Sequence, residues 1–172
     1  MNLKATLTAL LSLVCLPVAS NAEPLAVGAA APDLSATDQN GKTVKFKDVY
    51  AKGPTLVYFY PKADTGGCTK QGCSIRDSWT DLGGKNIQVL GVSEDTVEAQ
   101  KAFADKYKFP HTLIADADGK VAAAFQVEMR GKLTSRQSFL IKDGKIAWNM
   151  LKATTETHAA DVLKAVEGLA KK

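Results

Sequence analysis

Two cysteines five positions apart are the residues in this chain whose types and spacing could carry out chemistry. Cys68 follows a strand-like run, a short loop and two glycines, so it is expected at the start of a helix. The unpaired N–H groups and the dipole of a helix N-terminus favour a thiolate, which is the nucleophilic form of cysteine. Lys70 and Arg76 are close in sequence and are expected to act in the same direction. Cys68 is therefore predicted to be a reactive nucleophile.

Cys73 is the candidate partner of that nucleophile. On an intact α-helix a step of five residues rotates by about 140° and rises about 7.5 Å, which separates the two Cα atoms by roughly 8.7 Å. A disulfide tolerates no more than ~7 Å between Cα atoms, so Cys68 and Cys73 cannot pair within one regular helix. A bond that forms only when the helix unwinds suits a redox cycle. A permanent structural disulfide, which would contribute about 2 kcal/mol, is left open by the spacing alone.

Length and composition indicate one globular domain of ordinary make-up. The chain has 172 residues, of which 45% are hydrophobic and 23% charged, so it is long enough to bury a core. Collagen, low-complexity disorder and disulfide-dense mini-proteins are excluded. The 22 basic and 18 acidic residues give a net charge of +4, spread along the chain. This modest charge gives no case for nucleic-acid binding.

The first 22 residues are predicted to be a secretory signal peptide. A lysine precedes an apolar run at residues 7–16, which is too short to span a bilayer, and small residues stand before Glu23. Cleavage before Glu23 would remove Cys15 and leave residues 23–172 as a single domain with two cysteines. An exported compartment, periplasmic or extracellular, allows disulfides to persist, and no association with a membrane is expected after cleavage.

The remaining chain alternates between strand and helix patterns. A β-branched and aromatic run at residues 55–60 predicts a buried central strand, and Asp95 and Glu98 are expected to cap a helix over 95–108. The other predicted elements are a hairpin around Asn40-Gly41, strands at 87–92, 112–115, 138–141 and 145–150, and helices at 67–82, 120–125 and 155–170. This order predicts an α/β fold with a mixed central β-sheet flanked by helices.

Pro61, Thr65 and Cys68 have the spacing Pro-x-x-x-Thr-x-x-Cys, which resembles the active-site motif of the peroxiredoxins. Cys73 at plus five is similar to the peroxiredoxin Q, or bacterioferritin comigratory protein, subfamily. Three longer stretches follow the family's pattern in the same order: residues 58–77, 90–95 and 136–145. The resemblance covers nearly all of the chain after the predicted signal. Gly66 stands where the family commonly has proline, which loosens the loop before the cysteine.

The resemblance implies a thioredoxin-like fold and thiol-dependent reduction of hydrogen peroxide and organic hydroperoxides. By the match, Cys68 is the peroxidatic cysteine and Cys73 the resolving cysteine of an intramolecular disulfide. The Thr65 hydroxyl would bond the thiolate and the peroxide, and Arg136 would stabilise the thiolate and the charge that develops on the peroxide oxygens. Pro61 would shape and shield the pocket. Peroxide cleavage needs a thiolate and donors for the departing oxygen, so no metal, haem or flavin cofactor is required.

The implied partners are the peroxide and a protein that reduces the disulfide. The resemblance implies a thioredoxin-like or other dithiol reductant, here an exported one, and a monomeric enzyme. Two other functions remain open: a thiol–disulfide oxidoreductase acting on exported proteins, and a non-catalytic domain with a structural disulfide. A metal site is not predicted, because His111 and His158 have no ligand spacing with the cysteines. Both histidines are expected to be ordinary surface or packing residues.

Overall fold

A computed structural model describes residues 23–170 of the chain. The predicted signal peptide, residues 1–22, lies outside the described residues. No helix within 23–170 is long and apolar enough to cross a membrane.

A seven-stranded mixed sheet forms the centre of the fold, in the strand order β2-β1-β5-β4-β3-β8-β9, and β6 and β7 form a separate small hairpin. Strands β3, β4 and β5 are mutually parallel, and the other pairs are antiparallel. The strands are β1 Ser35–Asp38, β2 Thr43–Lys45, β3 Thr55–Phe59, β4 Gln88–Ser93, β5 Thr112–Ala115, β6 Met129–Arg130, β7 Leu133–Thr134, β8 Ser138–Lys142 and β9 Lys145–Met150. The predicted mixed sheet is confirmed.

Helices cover both faces of this sheet. They are α1 Phe46–Tyr50, α2 Gly66–Asp77, α3 Trp79–Gly84, α4 Val97–Tyr107, α5 Lys120–Ala124 and α6 His158–Ala170. Successive residues of β3 point to opposite faces, as in any strand. Leu56 and Tyr58 therefore join a core beneath α2, α4 and α6, while Val57 and Phe59 join a second core with α1 and α5. All five residues of β3 are buried, which is why the strand reads as a continuous apolar and aromatic run.

The prediction of a single helix over 67–82 is wrong. The structure has two helices, α2 and α3, because the backbone leaves helical angles at Ser78, with φ −99° and ψ 15°. Serine competes with the helical backbone for hydrogen bonds, which makes it a common residue at helix ends. Ile75 of α2 and Leu82 of α3 are both fully buried in the same core.

The predicted cap of the next helix is also wrong. Thr96, not Asp95, is the N-cap of α4, and its hydroxyl accepts a hydrogen bond from Ala99 N at 3.3 Å. Asp95 instead accepts from the backbone N–H of Ala63 at 2.7 Å. Helix α4 ends at Lys108, which adopts the left-handed conformation with φ 57°. Asp95 is thereby free to hold the loop that precedes Cys68.

The smallest elements were not predicted from sequence. Helices α1 and α5 have five residues each and strands β6 and β7 two each, so they span at most about one and a half periods of a helical or strand pattern, which is too few to recognise. Of these only α5 was anticipated, within 120–125. Helix α6 begins at His158, three residues later than predicted.

Candidate active site

Cys68 is the third residue of α2 and lies almost completely buried, with 2% of its surface exposed. The prediction that it begins a helix is confirmed. Thr65 precedes the helix in extended conformation, so the chain turns directly from loop into helix. At this position the sulfur is close to backbone N–H groups that have no partner within the helix. A Cβ atom on Gly67 would lie 3.2 Å from a guanidinium nitrogen of Arg136, so glycine leaves room for the arginine beside Cys68.

Arg136 reaches the sulfur from the other side of the site. It precedes β8 and is half-buried, and its Nη2 donates to Cys68 Sγ at 3.4 Å. Its Nη1 donates to Gln71 Oε1. The Arg136 carbonyl oxygen accepts from Ala153 N at 2.9 Å, which fixes the backbone from which the side chain extends. A guanidinium at this distance stabilises a negatively charged sulfur, so the pair can supply a nucleophile.

Lys70 and Arg76 do not contact Cys68, although their closeness in sequence suggested that they would favour its thiolate. Lys70 Nζ forms an exposed ion pair with Glu156 at 2.6 Å. Arg76 pairs with Asp77 at 2.8 Å and donates to the Tyr107 carbonyl oxygen. Both side chains are thus engaged away from Cys68. Lys70, two positions along α2, is turned to another face of the helix, and Arg76, eight positions along, lies two turns further from the sulfur.

Thr65 and Pro61 belong to the loop between β3 and α2, just before Cys68. The Thr65 hydroxyl donates to Lys62 O at 3.0 Å rather than to Cys68, which differs from the expected bond to the thiolate. Because that proton is committed, the hydroxyl oxygen is left with lone pairs that can accept from a peroxide O–H. Pro61 lines an open cleft of about 430 Å³ together with Arg136, Leu133 and residues of 151–153. The cleft gives small molecules a path to the guanidinium.

Two aspartates hold the loop between β3 and α2. Asp64 has a left-handed backbone, with φ 56°, and its carboxylate accepts from Tyr107 Oη and from Lys106 Nζ, both at 2.7 Å. Lys106 lowers the pKa of Asp64, and the Tyr107 hydrogen bond adds to the effect. Asp95 accepts from Ala63 N on the inner side. These contacts restrain the loop despite the two glycines at its end.

Cys73 lies on the same helix, two residues beyond Gln71, and is half-buried. Cys68 and Cys73 are both free thiols in this structure. Their shared location in α2 confirms the premise that a disulfide between them requires the helix to open, because the helical separation exceeds the bridging limit. A static disulfide is not compatible with this helix.

Sequence reasoning missed two residues next to the reactive pair. Gln71 is fully buried and contacts Arg136, and His158 is fully buried between Gln71 and Ser138. His158 is therefore a packing residue and not a surface residue, and it also makes polar contacts toward the site. Gln71 was detectable, since it is three residues from Cys68 on one helix and residues three apart share a face. His158 had no such signal, because it comes from α6.

The two histidines are uncharged in the folded protein. Burial lowers the pKa of His158 to about 4, and Arg136 adds to this while Asp161 opposes it. Burial lowers the pKa of His111 to about 3, with a smaller contribution from His158. His111 Nε2 lies 2.8 Å from the Tyr58 hydroxyl. Each ring therefore takes up a proton much less readily in the folded chain than in the unfolded chain, where the pKa is close to 6.5.

Acid is expected to destabilise the fold through these histidines. As the pH falls below about 6.5, the unfolded chain binds protons that the folded chain refuses, so the free energy of unfolding falls by about 1.4 kcal/mol per pH unit and histidine. The loss should continue to about pH 4 for His158 and about pH 3 for His111. Urea unfolding between pH 7 and pH 4.5 measures it. A His111→Gln variant should show roughly half the slope, and equal stability at both pH values in the parent would contradict the prediction.

No group of three or more His, Cys, Asp or Glu side chains in residues 23–170 is placed to hold a metal ion.

The sheet order and the flanking helices define a thioredoxin-like protein, and a cysteine–arginine pair lies at the start of α2. The model of the AhpC/TSA family matches residues 27–149, and the chain belongs to this family. Within it, the relatives are those of the peroxiredoxin Q and bacterioferritin comigratory protein subfamily. The thioredoxin-like peroxiredoxin fold expected from the sequence is confirmed.

Three relatives illustrate the likeness. Peroxiredoxin bcp1 of Schizosaccharomyces pombe is 40% identical over 105 residues, which are 61% of this chain and 54% of that protein. The chain thus spans about half the length of this relative. The chloroplastic peroxiredoxin Q of Triticum aestivum is 36% identical over 148 residues, covering 83% of this chain and 67% of the relative. The crystal structure of peroxidoxin BcpB from Mycobacterium tuberculosis has a TM-score of 0.78 at 32% identity and covers 83% of this chain and 97% of that one.

Proposed function

We propose that this protein is a thiol-dependent peroxidase that reduces hydrogen peroxide and organic hydroperoxides. The contact between Arg136 Nη2 and Cys68 Sγ at the first turn of α2 carries the proposal, because it places a cation and backbone donors around one sulfur. Family membership supports the same reaction and favours it over a protein disulfide oxidoreductase. Neither that alternative nor a structural disulfide accounts for a buried free cysteine beside a guanidinium.

The reaction begins with attack by the Cys68 thiolate on one oxygen of the peroxide. The S–O bond forms as the O–O bond breaks, which gives a sulfenic acid and, after protonation, water or an alcohol. Arg136 donates to the charge that develops on the oxygens, and Thr65 accepts from the peroxide O–H through its free lone pairs. Pro61 lines the cleft beside Arg136, where it would shape and shield the pocket.

The second step joins the two cysteines. The Cys73 thiol condenses with the Cys68 sulfenic acid, and the oxygen leaves as water, so the sulfur atoms have supplied both electrons. A thioredoxin-like or other dithiol protein then reduces the disulfide by thiol exchange and is itself oxidised. The enzyme acts as a monomer in this proposal, because both cysteines belong to one helix.

The proposed function also includes export of the protein. Residues 1–22 would direct the chain to the periplasm or beyond and be cleaved before Glu23, which leaves one domain over 23–172. The reductant would then be an exported dithiol protein, because it must meet the oxidised enzyme in the same compartment. Thiols in such compartments are readily oxidised, so this reductant would itself have to be kept reduced.

The stoichiometry of peroxide consumption tests the function. The reduced protein, mixed with hydrogen peroxide and no added thiol, should consume about one equivalent and lose both thiols, with Cys68 and Cys73 linked in one peptide. The matched Cys73→Ser variant should also consume about one equivalent but gain roughly 16 Da as a sulfenic acid. A protein oxidoreductase would leave the peroxide unconsumed and reduce protein disulfides instead. That outcome would reject the peroxidase.

Disulfide formation is expected to unwind the first turns of α2. The helix holds the Cα atoms of Cys68 and Cys73 roughly 8.7 Å apart, beyond the reach of a disulfide. Amide hydrogen exchange, measured by mass spectrometry, should be faster after Gly67 in the oxidised protein than in the reduced protein. Peroxide-treated Cys73→Ser serves as the control and should keep its protection. An oxidised protein with a confirmed disulfide and unchanged exchange would contradict the unwinding.

A further inference from the structure

A chain of polar side chains links the reactive sulfur to the start of α6. Arg136 donates to Cys68 Sγ through Nη2, at 3.4 Å, and to Gln71 Oε1 through Nη1. Gln71 Nε2 lies 3.4 Å from His158 Nδ1. His158 Nε2 lies 2.8 Å from Ser138 Oγ. The chain therefore crosses from α2 to α6 and ends on β8, the strand that follows Arg136.

The chemistry of the groups fixes the direction of each hydrogen bond. A guanidinium has only donors, so Gln71 must turn its carbonyl oxygen toward Arg136 and its NH₂ group toward His158. An NH₂ group donates, so His158 Nδ1 must be the unprotonated nitrogen. The proton of the neutral ring is then on Nε2 and points to the Ser138 hydroxyl. Gln71 and His158 have no exposed surface, so water cannot replace either contact.

The two ends of a glutamine amide have almost the same shape, so packing alone does not decide which end faces a neighbour. The orientation of Gln71 affects Arg136, because an NH₂ group facing the guanidinium would place two hydrogen-bond donors against each other and no bond would form. We propose that His158 is a positioning residue that acts together with Arg136 to fix the orientation of Gln71: by accepting from the Gln71 NH₂ group it keeps Gln71 Oε1 on Arg136, and so helps to hold Arg136 against the Cys68 sulfur. His158 touches no reacting atom. This inference rests on the proposed peroxidase function, because it concerns the rate of Cys68 oxidation.

The test measures the second-order rate constant for oxidation of Cys68 by hydrogen peroxide in a single turnover at pH 7. His158→Leu removes the acceptor at similar size, and the rate constant is expected to fall about tenfold, as is that of Gln71→Leu. The double variant should be no slower than the slower single variant, because both changes disable the same contact to Arg136. A histidine that only packed would give losses that multiply.

A second background separates orientation from packing. In Gln71→Glu both carboxylate oxygens accept from Arg136, so no partner is needed to choose an end. His158→Leu added to Gln71→Glu should then change the rate constant by less than about twofold, whereas it costs about tenfold beside the native glutamine. His158→Gln keeps an acceptor within reach and is expected to restore part of the rate.

Failure of the positioning role of His158 can be distinguished from failure of the proposed peroxidase function. If peroxide does not oxidise Cys68 in the unmodified protein, the peroxidase proposal fails. If it does, while His158→Leu reacts at the parent rate or costs as much in the Gln71→Glu background as beside the native glutamine, the positioning role is overturned. Thermal unfolding of each variant confirms that folded proteins are compared. Should His158→Leu fail to fold, His158→Phe replaces it, since it keeps a planar ring of similar shape without the acceptor.

Discussion

Replacing Cys68 with serine is expected to reduce peroxide consumption by at least about 10³-fold, which is the scale seen when an enzyme loses its nucleophile. A serine hydroxyl is not ionised near neutral pH, so it offers no anion to attack the O–O bond, even with a guanidinium at 3.4 Å from the sulfur position. The substitution changes one atom of a buried side chain and should leave the fold intact. Peroxide consumption with dithiothreitol as the reductant measures the effect.

The matched control is Cys73→Ser. That variant keeps the nucleophile and should still react with the first equivalent of peroxide, whereas Cys68→Ser should not. Dithiothreitol can reduce a sulfenic acid directly, so turnover of Cys73→Ser is not itself decisive, and the first equivalent is the quantity to compare. Full activity of Cys68→Ser would show that another group performs the reaction and would overturn the proposed function.

The sequence allowed the fold class to be predicted because its main signals are local. The run at 55–60 has the β-branched and aromatic residues of a fully buried strand, and β3 ends one residue short of the predicted limit. The break at Ser78 was not predictable, because serine is tolerated inside helices and the residue pattern of 67–82 does not mark this serine as a helix end. Helix α1 and strands β6 and β7, with five, two and two residues, have too few positions for a periodic pattern and lack the β-branched and aromatic composition that identified β3.

The site was predictable where the chain itself sets the geometry. Cys68 at the start of α2 and Cys73 further along it follow from positions in one helix. The contact between Cys68 and Arg136 joins residues 68 positions apart, and only the resemblance to a family gave it in advance. Lys70 shows the converse error, since it is near in sequence but its ammonium pairs with Glu156. Charge near a nucleophile in sequence is therefore a weak indication of charge near it in space.

His158 illustrates what residue types alone leave undetermined. A buried histidine without ligand spacing is usually part of a core, and His158 does lie in one. Its position beside Gln71 depends on how α6 packs on α2, where Ala159 N also donates to Ser74 Oγ at 3.1 Å. Tertiary packing of two helices thus places the His158 imidazole one residue away from Arg136, with Gln71 between them. No spacing rule within either helix contains this information.

Replacing Arg136 with methionine is expected to slow the oxidation of Cys68 by about 10²- to 10³-fold, the usual cost of removing one donor to a developing oxyanion. Methionine keeps much of the side-chain length but removes both donated bonds, to Cys68 Sγ and to Gln71 Oε1. The sulfur then loses its nearby cation, and the departing oxygen loses a donor. The single-turnover rate constant with hydrogen peroxide at pH 7 measures the loss, because it isolates the first step from disulfide formation.

Two further variants separate the specific contact of Arg136 with Cys68 from the effect of positive charge alone. Arg136→Lys keeps the positive charge but cannot donate to Cys68 and Gln71 at once from one planar group, so it should recover only part of the rate. Lys70→Met removes a cation two residues from Cys68, yet should change the rate constant by less than about twofold, because its ammonium belongs to an exposed ion pair that is screened by solvent. If Lys70→Met slowed the reaction as much as Arg136→Met does, the result would show that Cys68 is activated by the net positive charge around α2. It would contradict activation by the specific contact with Arg136.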